Sequence, residues 1–172
     1  RRTAARARRA TGPSWCLCGR GRSAARARPE ALASAGARFS PNDVLYGEWS
    51  EQWGREGARI LLRSSPRVEA IFCGSDQIAR GVSESLRLLG YRVPDDIALV
   101  GFDNWEPMVA GADPPLTSID MCLEDVGRTA AEHLLAAIND DPTHGVQTVP
   151  CRLVIRGSTD PVAGDPAEIG AQ

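Results

Sequence analysis

From residue 40 onward, short apolar runs alternate with longer stretches in which apolar residues recur at helical spacing. The two strongest runs, 68–73 and 97–102, are apolar almost throughout, which suits strands that are covered on both faces. Strands that alternate with helices in this way form parallel sheets with helices packed on their faces. The sequence therefore predicts an α/β fold built on a doubly wound parallel sheet.

Capping residues and apolar periodicity predict three helices between and after these strands. Ser50 caps the first helix, and Ser75 or Asp76 caps the second, which Gly90 ends because glycine tolerates a left-handed conformation. The third helix is predicted over 121–138. The residues expected on the buried faces are Trp53, Gly57, Ile60 and Leu61 in the first helix, Ile78, Val82, Leu86 and Leu89 in the second, and Leu123, Val126, Ala130, Leu134 and Ile138 in the third.

Three further segments complete the pattern. A strand is predicted at Val44–Gly47, and residues 146–155 read as a closing strand pair or one long strand. The stretch 104–115 contains three prolines, so we interpret it as a loop long enough to be functional.

The charge of the chain is unevenly distributed. Residues 1–38 contain ten Arg and the single acid Glu30, a balance of +9, whereas residues 39–172 contain ten Arg and twenty-one acids, a balance of −11. An Arg-rich start of this kind is typical of a nucleic-acid arm, a transit peptide or a helix with a solvated basic face. A truncated edge of a core domain fits it better, because 11–36 reads as a strand end followed by a helix.

Several functional classes are not supported. No apolar run approaches the ~18 residues of a membrane span, and 1–28 lacks the apolar core of a secretory signal. The five cysteines form no CxxC pair, and His133 and His144 lack metal-ligand spacing, so we expect no disulfide framework, metal or cofactor. A reducing cytoplasm is the expected compartment, with no contact to a membrane.

Polar and aromatic residues follow three of the predicted strands at the points where the strands end. They are Trp49 after the first strand, Ser75 and Asp76 after the second, and Asp103, Asn104 and Trp105 after the third. In a doubly wound sheet, ligands bind beyond the carboxyl ends of the strands. Carboxylates and hydroxyls beside indole rings suit a small polyhydroxylated or nucleoside-like ligand.

Each of these residues also has a purely structural interpretation. Asp76 can cap a helix, Asp103 and Asn104 can form a turn, and Trp49 can anchor a helix start. An enzymatic interpretation is weaker still, because Ser75 lacks the second glycine of a nucleophile elbow and no G-x-G-x-x-G motif opens a helix. A P-loop is impossible in a chain without Lys.

Three segments, 70–81, 88–104 and 114–119, resemble the effector-binding core of the lactose/galactose-repressor family of bacterial transcription regulators. The stretches VPDDIALVGFDN and PPLTSI, at this distance from each other, are the most specific part of the resemblance. The resemblance implies a periplasmic-binding-protein-like fold of two subdomains around a cleft, behind an N-terminal helix-turn-helix headpiece. This chain would then hold the second subdomain plus part of the first, without the headpiece.

The resemblance also implies domain limits and site residues. We expect 1–38 to be an Arg/Ala-rich remnant of the first subdomain, 39–160 to be the effector-binding subdomain and 161–172 to be a flexible tail. The residues expected to bind the effector are Asp103, Ser75, Trp49, Arg22, Met121, Asp76 and Trp105. Asp76 is further expected to tie the start of its helix to the cleft edge.

The function implied is that of a ligand-sensing regulator core. A sugar-like or nucleoside-like effector would control operator binding allosterically through a headpiece outside this chain. A homodimer is expected, with an apolar patch on the 78–89 helix as a fitting interface. The alternatives are an exported periplasmic sugar-binding protein of a transport system and an enzyme on a flavodoxin-like sheet.

Overall fold

The computed structural model describes residues 14–19, 44–141 and 144–160, the first of these ranges as backbone only. Within these ranges the chain forms one six-stranded sheet with the order β2-β1-β3-β4-β5-β6. The strands are β1 (Ser14–Gly19), β2 (Val44–Gly47), β3 (Ala70–Cys73), β4 (Ala98–Asp103), β5 (Thr117–Asp120) and β6 (Arg152–Val154). All neighbours pair in parallel except β5 and β6. The predicted doubly wound α/β class is confirmed.

Two long helices pack against each other beside the sheet. They are α1 (Glu51–Ser64) and α2 (Asp76–Leu88). Gly54 and Gly81 allow the close approach, because a Cβ on Gly54 would meet the carbonyl oxygen of Ile78 and one on Gly81 would meet that of Glu51. The backbones of α1 and α2 are therefore in direct contact at these two glycines.

The predicted caps of both helices are correct. The Ser50 hydroxyl accepts a hydrogen bond from the Trp53 amide at 3.0 Å, and the Ser75 hydroxyl accepts one from the Ile78 amide at 3.2 Å. Gly90, with φ of +83°, follows the end of α2 as predicted.

The hydrophobic core lies between α1, α2 and the central strands. It includes Leu61, Ile71, Ile78, Leu86 and Leu99, each at most 1% exposed. Burial of these branched side chains is the main stabilising contribution of such a core.

The expected buried faces of α1 and α2 need two corrections. Ile60 is 48% exposed and Leu89 is 50% exposed, because each lies at the border of its stripe and turns toward solvent. Of the apolar residues on α2, Ile78, Val82 and Leu86 are fully buried in the core of the chain itself, and the exposed ones are Leu88 and Leu89 at the end of the helix, so the interface patch stays a prediction.

The segment 104–115 is not wholly a loop, because it contains the short helix α3 (Glu106–Val109). The stretch 146–155 forms less strand than predicted, and only Arg152–Val154 pairs with β5. β5 itself was not among the predicted strands. The hydroxyl of Ser158 fastens the end of this region to the sheet, accepting from the Thr117 amide at 2.8 Å and donating to the Leu99 carbonyl at 2.6 Å.

The largest correction concerns the last helix, α4 (Leu123–Ile138). It forms as predicted, but none of its residues is buried. Leu123, Leu134 and Ile138, which we expected to face inward, are all more than 60% exposed. The described part of the chain therefore provides no surface that covers this stripe.

Some expectations fall outside the described residues. Arg22, the rest of the 1–38 segment apart from the β1 backbone, and the tail beyond residue 160 are among them. Within the described ranges, no helix combines the length and the apolar character that crossing a bilayer requires.

Candidate functional site

The register of the sheet gathers the predicted polar residues at one edge. When the pairing register is extended past the ends of the strands, four residues lie at one level, at the carboxyl ends of β2, β3, β4 and β5. They are Gly47, Ser75, Asp103 and Asp120. Because the four strands run parallel, these residues form a row along the edge where ligands of such sheets bind.

Asp103 occupies the middle of this row in an unusual backbone conformation. Its φ is +108° and that of Asn104 is +53°, both in the left-handed range that residues other than glycine rarely adopt. Holding a residue other than glycine in a sparsely populated region costs on the order of 1–3 kcal/mol, and such strain is concentrated at functional sites. The surrounding contacts must therefore hold this turn in place.

The Asp103 carboxylate is half-buried and has no hydrogen-bond partner among the described residues. Burial and, to a smaller extent, the nearby charge of Asp76 raise the pKa of this carboxyl to about 6. A partly desolvated carboxylate without a donor is an acceptor available to a ligand hydroxyl.

Asp76 is fully buried and supports the turn that Asp103 and Asn104 form. Its carboxylate accepts from the Ser118 hydroxyl at 2.5 Å and from the Trp105 amide at 2.8 Å. Burial raises the pKa of Asp76, while these hydrogen bonds and the charge of Arg156 act in the opposite direction. The side chain lies against Gly101, where any Cβ would meet its Oδ1 atom.

Asn104 extends the same network toward the end of the chain. The backbone N–H of Asn104 donates to the Ser118 hydroxyl at 3.1 Å, and its side-chain Oδ1 atom accepts from Arg156 at 2.9 Å. The buried Arg156 also donates to the Leu116 carbonyl at 2.9 Å. Sequence reasoning missed Ser118 and Arg156, since neither belongs to a local motif and only the fold brings them to the site.

Two exposed aromatic side chains follow this row, one after β2 and one after β4. Trp49 is 52% exposed and Trp105 is 55% exposed, and each lies two residues beyond the level of the row. A third indole, Trp53, packs on Gly47, and its Nε1 atom is buried without a hydrogen-bond partner. The two exposed indoles offer flat apolar faces to solvent at the edge of the sheet.

The remaining predicted residues differ in their access to this edge. Ser75 is 5% exposed, and its hydroxyl is already occupied as the cap of α2. Met121 is partly buried and follows β5 directly. Arg22 lies outside the described residues.

Asp120, at the far end of the row, is engaged by its neighbours. It accepts from the Cys122 amide at 2.8 Å and from Arg152 at 2.7 Å, and these hydrogen bonds hold the pKa of the Asp120 carboxyl below its usual value. Asp103 is thus the carboxylate of this row that remains open to a ligand. Among the described residues, no three His, Cys, Asp or Glu side chains come together in a group that could hold a metal ion.

Comparison with known proteins agrees with this fold. A family model described as a periplasmic binding protein-like domain matches residues 15–159. The HTH-type transcriptional regulator CelR of Thermobifida fusca is 35% identical over 130 residues, which are 75% of this chain and 38% of that protein. The chain therefore spans well under half the length of this curated relative.

Solved structures give the same result. A transcriptional regulator CelR–cellobiose complex is 31% identical with a TM-score of 0.74, over 84% of this chain and 46% of that one. The lac repressor dimer bound to operator and the anti-inducer ONPF is 26% identical with a TM-score of 0.78, over 88% of this chain and 46% of that one. The chain belongs to the family of periplasmic binding protein-like domains, in the form that lactose-repressor-type transcription regulators carry.

Proposed function

We propose that this chain is the ligand-sensing core of a bacterial transcription regulator of the repressor type. The open, half-buried carboxylate of Asp103, held on a strained turn, is the observation that carries the proposal. An effector hydroxyl that donates to this carboxylate would gain a charge-assisted hydrogen bond in a site that is already organised.

The other predicted residues take distinct roles in this proposal. Trp49 and Trp105 provide stacking surfaces, Ser75 lies at the strand between them, and Met121 lies after β5, on the other side of Trp105. Asp76 acts as a positioning residue, because its carboxylate holds the Trp105 amide and the Ser118 hydroxyl. Arg22 remains a proposed effector contact.

The effector would act on DNA through a headpiece outside this chain, in the cytoplasm and without a catalytic step. The relatives reported above are named as transcription regulators, which disfavours both an exported sugar-binding protein and an enzyme. A lac repressor dimer has been solved bound to its operator. In the present proposal, this chain binds the effector and a separate headpiece binds the DNA.

We also propose that the protein is a homodimer. The lac repressor to which this chain is similar over 88% of its length was solved as a dimer. Sedimentation at low and high salt would test this, and a monomer under both conditions would contradict it.

Thermal unfolding of the chain with a panel of neutral sugars and nucleosides tests the effector site. We expect at least one compound to raise the Tm of the wild type and to leave that of Asp103→Asn unchanged. Asp95→Asn, an exposed carboxylate in an ion pair with Arg92, is the matched control and should respond like the wild type. A full response in Asp103→Asn would refute the site assignment.

A further inference from the structure

Arg156 is a buried cation at the point where the chain returns to the sheet. The chain leaves the sheet after β5, forms α4, and pairs with β5 again as β6, which ends two residues before Arg156. Only 8% of Arg156 is exposed. The Thr117 hydroxyl fixes its backbone, accepting from the Arg156 N–H at 2.8 Å and donating to the Arg156 carbonyl at 3.0 Å. The side chain therefore extends from a backbone that is held against the sheet.

The guanidinium of Arg156 donates to two neutral acceptors. Its Nη1 atom donates to the Leu116 carbonyl at 2.9 Å, and its Nη2 atom donates to the Oδ1 atom of Asn104 at 2.9 Å. Burial raises the pKa of Asp76, and the charge of Arg156 acts against this rise, so the two buried groups interact. Because a buried charge is costly unless its donors are satisfied, loss of the Asn104 acceptor would be felt by Arg156 as well as by Asn104.

The other end of this bond lies in the turn that carries the open carboxylate. Asp103 and Asn104 have φ of +108° and +53°. The Trp105 N–H, which follows them, donates to Asp76 at 2.8 Å and fixes the backbone of the turn. The bond from Arg156 instead fixes the Asn104 side chain, and it joins the turn to the segment that follows β6. One hydrogen bond and one peptide unit thus separate this segment from Asp103.

We propose that Arg156 is a positioning residue of the effector site, because its bond to Asn104 holds the turn that directs the Asp103 carboxylate. The segment after β6 then sets the affinity of the site through Asn104. This inference rests on the proposed function, in which Asp103 receives the effector, and adds to it a residue that acts through another.

Native-state hydrogen exchange measured by NMR tests the proposal without an effector. Asn104→Gly removes the acceptor of Arg156 but keeps a residue that tolerates positive φ. It should speed exchange of the Trp105 amide about tenfold or more, because a hydrogen bond to a charged group is lost and the turn opens locally. The Ala98 amide, which donates to the Glu69 carbonyl in the sheet, should exchange at an unchanged rate.

Two matched variants separate the bond from the backbone. Asn104→Asp keeps an acceptor for Arg156 and should exchange like the wild type at Trp105. Asp140→Gly places a glycine at another left-handed position, with φ of +59° at the exposed end of α4, and should also leave the Trp105 amide unchanged.

A double-mutant cycle assigns the effect to Arg156. Arg156→Met should also speed exchange of the Trp105 amide, and the double variant with Asn104→Gly should exchange no faster than Arg156→Met alone, since both changes remove the same bond. If Arg156→Met does not fold, the contrast between Asn104→Gly and Asn104→Asp decides alone. Three results would overturn the inference: an unchanged Trp105 rate in Asn104→Gly, equal acceleration in Asn104→Gly and Asn104→Asp, or factors that multiply in the double variant.

The consequence for binding is measured with the panel of neutral sugars and nucleosides. A compound that raises the Tm of the wild type should bind Asn104→Gly about tenfold or more weakly. Equal affinity alongside faster exchange would overturn the claim that the turn sets affinity. The sensing function itself fails separately, if Asp103→Asn responds to these compounds like the wild type.

Discussion

Helices α2 and α4 carry apolar stripes of similar regularity, but the structure buries only one of them. Eight residues of α2 are buried, whereas α4 has none. The α2 stripe lies against the sheet and α1, while Leu134 and Ile138 of α4 remain 62% and 68% exposed. Periodicity indicates which face a helix would bury, but burial itself requires a second surface to cover that face.

The difference also locates the function. The first turn of α2 holds Ser75 and Asp76, so the candidate site is built on the packed part of the molecule. Helix α4 begins only after β5 and Met121, beyond the row of site residues. Stability at the site should therefore depend on α2 and not on α4.

The largest expected effect is on the buried stripe. Leu86→Ala should lower the free energy of unfolding by about 2–5 kcal/mol, because it removes a fully buried side chain and leaves a cavity. Leu134→Ala, the matched change on α4, should alter it by less than about 0.5 kcal/mol. Urea unfolding monitored by circular dichroism measures both variants, and equal losses would abolish the distinction between the helices.

A pair of glycines tests the same contrast through the backbone. Gly81→Ala should destabilise the chain by about 1–3 kcal/mol, since the new Cβ would collide with the Glu51 carbonyl of α1. Gly127→Ala should stabilise α4 by up to about 1 kcal/mol, because no atom lies within 4 Å of a Cβ there and alanine favours a helix. Changes of the same sign in the free energy of unfolding for both variants would contradict the packing described for α2 and α4.

The helix starts differ as well, with a smaller consequence. Ser75 caps α2 with its hydroxyl, whereas Cys122 makes no side-chain cap bond at the start of α4. Ser75→Ala should cost about 1 kcal/mol, and Ser75→Thr, which keeps the hydroxyl, should cost less. Thermal unfolding compares the two variants, and an unaffected Ser75→Ala would show that the cap contributes nothing.

The smallest expected effect is a pH dependence of stability. The pKa of Asp103 is raised to about 6, so the folded chain keeps a proton that the unfolded chain releases from roughly pH 4 upward. The free energy of unfolding should therefore fall as pH rises through this interval. Asp103→Asn should make the fall shallower, with the raised pKa of Asp76 accounting for what remains. Urea titrations across this interval would contradict the assignment if both proteins gave the same slope.

Much of the fold could be predicted from the sequence because its signals are local. The caps at Ser50 and Ser75, the glycine stop at Gly90 and the apolar run of β4 each depend on adjacent residues. The exposure of α4 could not be predicted, since its apolar stripe has the same spacing as that of a buried helix. Only the tertiary arrangement shows that none of the described residues covers it.

The candidate site divides in the same way. Asp103 and Trp105 could be placed at a strand end by their position in the sequence. The partners of the turn could not be predicted, because Ser118 and Arg156 are 42 and 52 residues away from the groups they bind, Asp76 and Asn104. Long-range polar networks leave no periodic trace in a sequence.

The central claim is that the open carboxylate of Asp103 receives the effector, and proton release on binding tests it most directly. Hydroxyl donors favour the charged carboxylate and lower its pKa from about 6, so binding near pH 6 should release a fraction of a proton. Calorimetry with the best-binding sugar, in two buffers of different ionisation enthalpy, measures this release. We predict proton release by the wild type and none by Asp103→Asn; binding without proton release in the wild type, or equal release in both proteins, would contradict the account.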